Sequence, residues 1–169
     1  MTEPPWLSER ELDAWLAYLT ASHLLERRIE EQLKADAGLT HPQYEILTRL
    51  SSAPGQRMRM TELARLVVVS KSGLTYQIGQ LEKAGLVERA ACPSDERGIM
   101  AVLTGEGMRC LERTAPGHLA VVRAFLIDHF GPDELTSMTR IMRKAAAAMG
   151  AAVPPPAGEA GPHTPGPRT

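Results

Sequence analysis

The sequence predicts a mainly α-helical fold with a small β-wing, and three observations lead to this prediction. Residues 60–84 contain two short amphipathic segments separated by a tight turn. Residues 86–103 then suit two strands joined by a charged connection. Longer segments of helical periodicity flank this region on both sides. This is the element order of a winged helix-turn-helix, in which the second helix lies in the major groove of DNA.

Length and composition fit one domain of ordinary size with appendages. The chain has 169 residues, of which 43% are apolar and 23% are charged, and its net charge is −1. Residues 39–111 hold nine Lys and Arg against seven Asp and Glu, so the predicted DNA-binding part is weakly basic. The start of the chain lacks a secretory signal, and no apolar run reaches the ~18 residues of a membrane span. We expect a cytoplasmic protein with reduced thiols and no membrane partner.

The first predicted helix runs from about Ser8 to Lys34. Ser8 and Glu11 have the spacing of a capping box, and a turn at residues 36–38 ends the helix. Its apolar residues recur mostly at steps of three and four, at Leu12, Trp15, Leu16, Leu19, Leu25, Ile29 and Leu33. This helix has more apolar surface than a small domain can cover, so we expect a partner subunit against it.

Residues 40–60 are predicted to form a second helix and a short strand. Thr40 and Gln43 make another capping box, with a proline in the first turn, and the helix extends to about Ser52. Its predicted buried edge consists of Tyr44, Leu47 and Leu50. Polar and apolar residues alternate at 57–60, which predicts a third strand beside the hairpin.

The supporting helix and the reading helix come next. The supporting helix starts at Thr61, and three valines at 67–69 end it because β-branched residues are poor helix formers. Ser70 caps the reading helix, which runs from Lys71 to about Ala84 and ends before Gly85, a residue suited to the left-handed C-cap. The predicted inward face of the reading helix consists of Leu74, Ile78 and Leu81.

The rest of the chain is predicted to form the wing and two more helices. Residues 93–97 between the strands 86–92 and 98–103 are too many for a two-residue hairpin, so they predict an extended polar tip. Thr104 caps a long helix that Pro116 and Gly117 should interrupt with a kink. A last helix starts after residues 131–132. The candidate buried positions of the long helix are Met108, Leu111, Leu119, Val122, Leu126 and Ile127, and the apolar residues of the last helix are Leu135, Met138, Ile141, Met142, Ala145 and Met149.

The outward face of the reading helix suits contact with DNA. Its residues are small or hydrogen-bonding: Ser72, Tyr76, Gly79 and Lys83, with Lys71 and Thr75 beside them. The helix N-terminus, Lys71 and the hydroxyls of Ser70 and Ser72 suit phosphate. Thr75 and Tyr76 can offer a hydroxyl or an apolar face to a base. The alternative interpretation is a helix face that is simply solvated.

Arg97 at the tip of the wing is a further candidate for DNA contact. A guanidinium on a narrow hairpin can enter the minor groove, where negative potential is focused. Asp95, two residues earlier, could pair with Arg97 and hold its orientation. The alternative is a charged loop that only keeps the protein in solution.

Other residues raise weaker hypotheses. Cys92 could be a redox-active thiol with its pKa lowered by nearby arginines, against an ordinary packed thiol as the alternative. His23, Tyr44 and His118 are candidate polar groups of a ligand pocket, although a core or surface role is the simpler interpretation for each. We find no metal-ligand spacing, no phosphate loop and no nucleophile with a base, so we expect neither a cofactor nor an enzyme.

Residues 150–169 are predicted to form a disordered tail. Residues 153–169 contain six Pro and three Gly and hold no Leu, Ile or aromatic residue. Such a composition cannot repay the entropy of ordering.

As an ordered set, these motifs resemble the MarR family of bacterial transcription regulators over residues 8–149. The matching segments are residues 39–47, 60–64, 70–75 and 81–87, the Asp-x-Arg wing at 95–97, and the strand-to-helix joint at 103–107. The resemblance implies a lobe at 39–104 that binds DNA, and dimerisation helices at 8–35 and 105–149. It assigns DNA contact to Ser70, Lys71, Ser72, Thr75, Tyr76 and Arg97.

The resemblance also implies a mechanism. It predicts a homodimer on a pseudo-palindromic operator, acting as a repressor that a small phenolic or aromatic ligand releases. Tyr76, Gly79 and Glu96 depart from the more basic pattern common in the family, which makes this a less basic reader. Two alternatives remain: a winged helix that binds protein and has no operator of its own, and a thiol-based regulator that uses Cys92.

Overall fold

The computed structural model of the chain describes residues 6–67, 70–92 and 95–151, without the side chains of residues 95–97. The predicted tail lies outside the described residues from position 152 onward. The helices are α1 Glu9–Ala37, α2 His41–Ser51, α3 Met60–Leu66, α4 Lys71–Lys83, α5 Gly105–Phe125 and α6 Pro132–Ala148. The strands are β1 Arg57–Arg59, β2 Val87–Cys92 and β3 Asp95–Leu103. Helix α3 is the supporting helix and α4 is the reading helix.

Hydroxyl groups cap four of the helices where the sequence predicted them to begin. The side-chain oxygens of Ser8, Thr40, Ser70 and Thr104 each accept a hydrogen bond from the backbone N–H three residues later. Each bond satisfies a donor that the first helical turn leaves unpaired. At the other end of α1, Gly38 adopts a left-handed conformation with φ of 65°.

The three strands form one antiparallel sheet in the order β1-β3-β2. This confirms the third strand at residues 57–59. The predicted long wing tip is wrong, because β3 begins at Asp95, whose Cα pairs with that of Cys92. The register shifts there, since Ala91 pairs with Ile99, so residues 96–98 fall within an irregularity of β3. Such a bulge absorbs extra residues within a strand, and the simple count of residues between strands cannot reveal it.

The core lies where α2, α3 and α4 meet the sheet and the adjoining parts of α1 and α5. Its largest fully buried apolar side chains are Leu33, Ile46, Leu47, Leu50, Leu63, Leu74, Ile78 and Leu81. The inward face predicted for the reading helix is therefore confirmed. Each leucine or isoleucine buried this completely stabilises the fold by about 1.5–3 kcal/mol. The core thus fixes which face of α4 points outward.

Two expectations for the C-terminal helices are wrong for the single chain. Helix α5 continues through Pro116 without the predicted interruption. The carbonyl that Pro116 leaves unpaired belongs to Glu112, an exposed residue that water can reach. Leu119 on α5, a candidate buried position, is exposed, and helix α6 has no buried residue, with Ile141 and Met142 exposed. In the described part of the chain, no helix is both long and apolar enough to cross a membrane.

Candidate DNA-binding surface

The exposed face of α4 brings together the predicted reading residues. Lys71, Ser72, Thr75 and Tyr76 are all exposed, and the side chain of Tyr76 is the most prominent, with 64% of its surface accessible. They lie opposite Leu74, Ile78 and Leu81, which anchor the helix in the core. The packing that holds α4 therefore also presents these side chains outward.

Two serine hydroxyls and a lysine lie at the N-terminus of α4. Ser70 Oγ accepts the N–H of Gly73 at 3.0 Å and lies 3.1 Å from Ser72 Oγ. The positive end of the helix dipole, with first-turn N–H groups, lies beside the exposed ammonium of Lys71. An arrangement of this kind suits a phosphate of the DNA backbone.

Thr75 presents only part of its hydroxyl to a partner. Its Oγ1 donates a hydrogen bond of 2.9 Å to the carbonyl of Lys71 within the helix. The donor proton is thus used internally, while the methyl group and the oxygen lone pairs remain available. Thr75 is therefore suited to an apolar contact, such as a thymine methyl group, or to accepting a hydrogen bond.

Arg89 ties the hairpin to the reading helix, a role that the sequence did not indicate. Its Nη2 donates to the backbone carbonyl of Thr75 at 3.2 Å and lies 3.4 Å from Glu82 Oε2. A single strand residue thus holds two successive turns of α4. The contact could not be predicted from an arginine in a strand, because it depends on how β2 crosses α4.

A second tether reaches α4 from α2. The Nε2 of Gln43 donates to Gln77 Oε1 at 3.0 Å, while Gln43 Oε1 accepts the N–H of Thr40 at 3.0 Å. The capping box predicted for α2 is therefore also a link to the reading helix. Sequence spacing predicted the cap and missed the link.

A cleft of about 360 Å³ lies between α4 and the hairpin. Its lining consists of Arg59, Met60, Thr61, Thr75, Arg89, Gly98 and Ile99. Thr75 and Arg89 therefore belong both to the tether and to the wall of this cleft.

The wing carries the two remaining predicted DNA contacts. Asp95 and Arg97 lie in β3, at the end that pairs with Cys92. Their side chains lie outside the described part of the structure, so the pairing of Asp95 with Arg97 and the entry of Arg97 into the minor groove stay predictions.

The candidate ligand residues fall into two places. The rings of Tyr44 and His118 are in contact, with centroids 4.5 Å apart, and His41 lies 6.2 Å from His118. The Nδ1 of His41 is 2.8 Å from Glu26 Oε1. His23 instead lines an open groove along α1 that Glu26 shares and that neither Tyr44 nor His118 lines.

Burial changes the protonation chemistry of this aromatic cluster. His118 Nδ1 is buried and has no hydrogen-bond partner among the residues that the structure describes. Burial, and secondarily the charge of His41, lower the pKa of His118. Burial also raises the pKa of Tyr44. Both shifts favour the neutral forms of His118 and Tyr44.

The two cysteines are both buried, with 7% of Cys92 and 6% of Cys110 accessible. Reactive thiols usually need solvent access. Among the residues that the structure describes, no group of His, Cys, Asp and Glu could hold a metal ion.

A helix that presents hydroxyls and a lysine outward, supported by two further helices and flanked by a three-stranded wing, defines a winged helix-turn-helix DNA-binding protein. The sequence profile of the MarR family matches residues 39–99. The chain belongs to the MarR family, and it is a transcriptional regulator that binds DNA. The resemblance drawn from the motifs is confirmed.

Solved structures and a curated relative agree with this assignment. Sco3205, a MarR family transcriptional regulator from Streptomyces coelicolor, solved in complex with DNA, is 42% identical with a TM-score of 0.84. That match covers 85% of this chain and 94% of Sco3205. AbsC, a MarR family regulator from the same organism, is 41% identical with a TM-score of 0.82, over 86% of this chain and 97% of AbsC. The HTH-type transcriptional repressor YetL of Bacillus subtilis is 30% identical over 68% of each chain.

Proposed function

We propose that the chain is a homodimeric repressor that binds a pseudo-palindromic operator through two copies of α4 and is released by a small aromatic ligand. Residues 39–104 would form the lobe that binds DNA, and residues 8–35 and 105–149 the dimerisation helices. The observation that carries the proposal is the contrast between the two kinds of helix face. The inner face of α4 is buried in its own chain, whereas α6 has an apolar face and buries no residue.

The dimer is supported by the physical chemistry of α6. A 17-residue helix gains little stability from its own hydrogen bonds and depends on packing an apolar face. That face consists of Leu135, Met138, Ile141 and Met142. The N-terminal part of α1 has the same need, because Leu12, Trp15 and Leu16 are each about half exposed. A second copy of the chain supplies matching apolar surface for both helices.

Two copies of α4 would then read half-sites about one helical turn apart. Ser70, Lys71 and Ser72 would hold phosphate, Thr75 and Tyr76 would face bases, and Arg97 would enter the minor groove. Since Tyr76 and Gly79 are uncharged, specificity would depend on shape, hydroxyls and Arg97 more than on bulk charge.

Selection of random duplexes with the purified chain tests the operator. Enrichment of a palindrome supports the proposal, and no enrichment contradicts it. On the selected site, Lys71→Ala should lower the slope of log affinity against log salt by about one unit, the loss of one phosphate contact. Arg97→Ala should weaken binding without unfolding the chain. Binding of Arg97→Ala as tight as wild type would contradict the role of the wing.

The ligand hypothesis rests on the contact between Tyr44 and His118. These rings lie where α5, a proposed dimerisation helix, meets the DNA-binding lobe. A ligand packed between them would change the angle at which the lobe leaves α5. A set of phenolic and benzoic compounds, tested for release of the chain from its operator, examines this step. Compounds that release wild type and fail on His118→Ala support the site, and equal release of both contradicts it.

The near-neutral charge favours a second candidate. A net charge of −1, with Glu96 in the wing, suits a winged helix that binds protein and has no operator. The same duplex selection separates the two candidates. The thiol-based alternative would require oxidation of buried Cys92. Peroxide that releases wild type from the operator and not Cys92→Ser would support that alternative.

A further inference from the structure

Gly79 is half-buried and lies on the outward side of α4, between Tyr76 one turn before it and Lys83 one turn after it. The left-handed glycines of the described chain are Gly38, Gly55, Gly85 and Gly150, so Gly79 is not among them. A Cβ atom built on Gly79 would meet nothing within 4 Å. Neither the backbone conformation nor the packing of the fold therefore requires glycine at this position.

Gly107 shows what a glycine required by the fold looks like in the same protein. A Cβ on Gly107 would collide with the carbonyl oxygen of Leu86 and lie 2.7 Å from Leu103 Cδ1. At Gly79 the fold leaves open space instead. A glycine inside a helix lowers its stability relative to alanine. The reading helix thus carries a destabilising residue for which the described part of the chain gives no reason.

Arg89 supports the turn that Gly79 weakens. In an α-helix the N–H of residue 79 bonds the carbonyl of residue 75. The guanidinium of Arg89 donates to that same carbonyl at 3.2 Å and also pairs with Glu82. Arg89 in β2 therefore stabilises the part of α4 that contains Gly79.

We propose that Gly79 marks the closest approach of α4 to DNA, where the helix backbone itself lies against the duplex and a Cβ does not fit. Permitting close approach to a ligand is one of the uses of glycine. Because α4 lies deeper in the groove there, the ring of Tyr76 reaches base edges rather than the groove rim. This inference rests on the proposed function, since it needs an operator that α4 reads.

The test compares Gly79→Ala with Gly105→Ala in the full chain. Gly105 is the first residue of α5, and a Cβ there would meet only Arg109 Nη1, at an ordinary 3.5 Å. We expect Gly79→Ala to raise the melting temperature by about 2–4 °C, because alanine is the better helix former. We expect it to weaken operator binding roughly tenfold or more, because a Cβ overfills the interface. Gly105→Ala should bind the operator like wild type.

Opposite signs for stability and affinity distinguish a contact with DNA from a role in the fold. If Gly79→Ala binds as tightly as wild type while its melting temperature rises, the inference is wrong and Gly79 is only an unoptimised helix residue. A fall in the melting temperature also overturns it, because the fold would then have no room for Cβ. If wild type selects no operator, the proposed function fails and this inference fails with it. If wild type selects an operator and Gly79→Ala binds it equally tightly, the inference is wrong while the proposed function stands.

Discussion

The guanidinium of Arg89 donates a hydrogen bond of 3.2 Å to the backbone carbonyl of Thr75, and this contact joins the hairpin to the reading helix. The same guanidinium pairs with Glu82 at 3.4 Å. The wing and the helix that it flanks are thus joined by a side chain as well as by the core beneath them. Their relative position, which would decide how both contact one duplex in the proposed complex, therefore depends on Arg89 whether or not Arg89 touches DNA.

Arg89→Ala should weaken operator binding while the chain stays folded. A hydrogen bond from a charged donor contributes about 1.5–3 kcal/mol, which corresponds to roughly a 10- to 100-fold loss of affinity if α4 reorients fully. The salt slope should stay near that of wild type, because Arg89 acts by positioning α4. Fluorescence anisotropy over a salt series measures both quantities. Arg123→Ala, which removes an exposed pair with Asp128, is the matched control. A slope that falls by one unit would identify Arg89 as a phosphate contact instead.

Gly107→Ala should destabilise the joint between β3 and α5. The added methyl group would collide with the Leu86 carbonyl and press on Leu103, an overpacking that costs about 1–3 kcal/mol. Urea unfolding followed by circular dichroism measures the loss. Gly105→Ala, two residues earlier, has room for its methyl group and should unfold at the wild-type midpoint or above it. Equal midpoints for the two variants would show that the joint can relax.

His118 should make the stability of the fold depend on pH below neutrality. Burial and the neighbouring His41 lower the pKa of His118 in the folded chain. The unfolded chain therefore binds more protons than the folded chain between the usual histidine pKa of about 6.5 and the lower folded value. The stability that neutral His118 provides is complete above pH ~6.5 and declines as the pH falls through that window.

His118→Phe keeps an aromatic ring against Tyr44 and removes the titration. Melting temperatures measured from pH 7.5 down to 5 should fall less steeply for this variant than for wild type. His23→Phe on α1 serves as the control for removing a histidine elsewhere. An unchanged pH profile for His118→Phe would assign the acid sensitivity to other groups.

Ile141→Glu should convert the chain to a monomer. Ile141 is 49% exposed in the single chain and lies on the apolar face of α6. A carboxylate there would be buried without a partner in the proposed dimer. Sedimentation velocity measures the oligomeric state. Thr136→Glu adds the same charge to the opposite face of α6 and should leave the dimer intact. Dissociation of both variants would indicate a general effect of charge. If neither variant dissociates, the dimer interface lies elsewhere.

Local signals predicted most of the fold. Four hydroxyl caps set the starts of α1, α2, α4 and α5, because an N-cap depends on residues three positions apart. The inward face of α4 followed from the periodicity of Leu74, Ile78 and Leu81. Only the length of the wing tip was mispredicted, because the bulge in β3 arises from pairing across the sheet and is not encoded in residue spacing. The interruption at Pro116 was also wrong: α5 is continuous there, and Glu112, whose carbonyl the proline leaves unpaired, is an exposed residue.

The candidate site was predicted only in part. Helical periodicity predicts which side chains of α4 point outward, and the structure agrees for Lys71, Ser72, Thr75 and Tyr76. The contacts that Arg89 and Gln77 make between elements could not be inferred from the sequence. Each depends on how two elements that are separate in sequence cross in the fold. His23 and Tyr44 were both candidates because of their residue types alone. In the structure His23 lies in a groove along α1 that Tyr44 does not line.

The hydroxyl of Thr104 donates a hydrogen bond of 2.7 Å to the carbonyl of Gly85, which locks the start of α5 to the end of the reading helix. A rotation of α5 about this joint would therefore also move α4. In the proposed dimer, the angle between the two copies of α5 would set the separation of the two reading helices, and the spacing of the operator half-sites would report that angle.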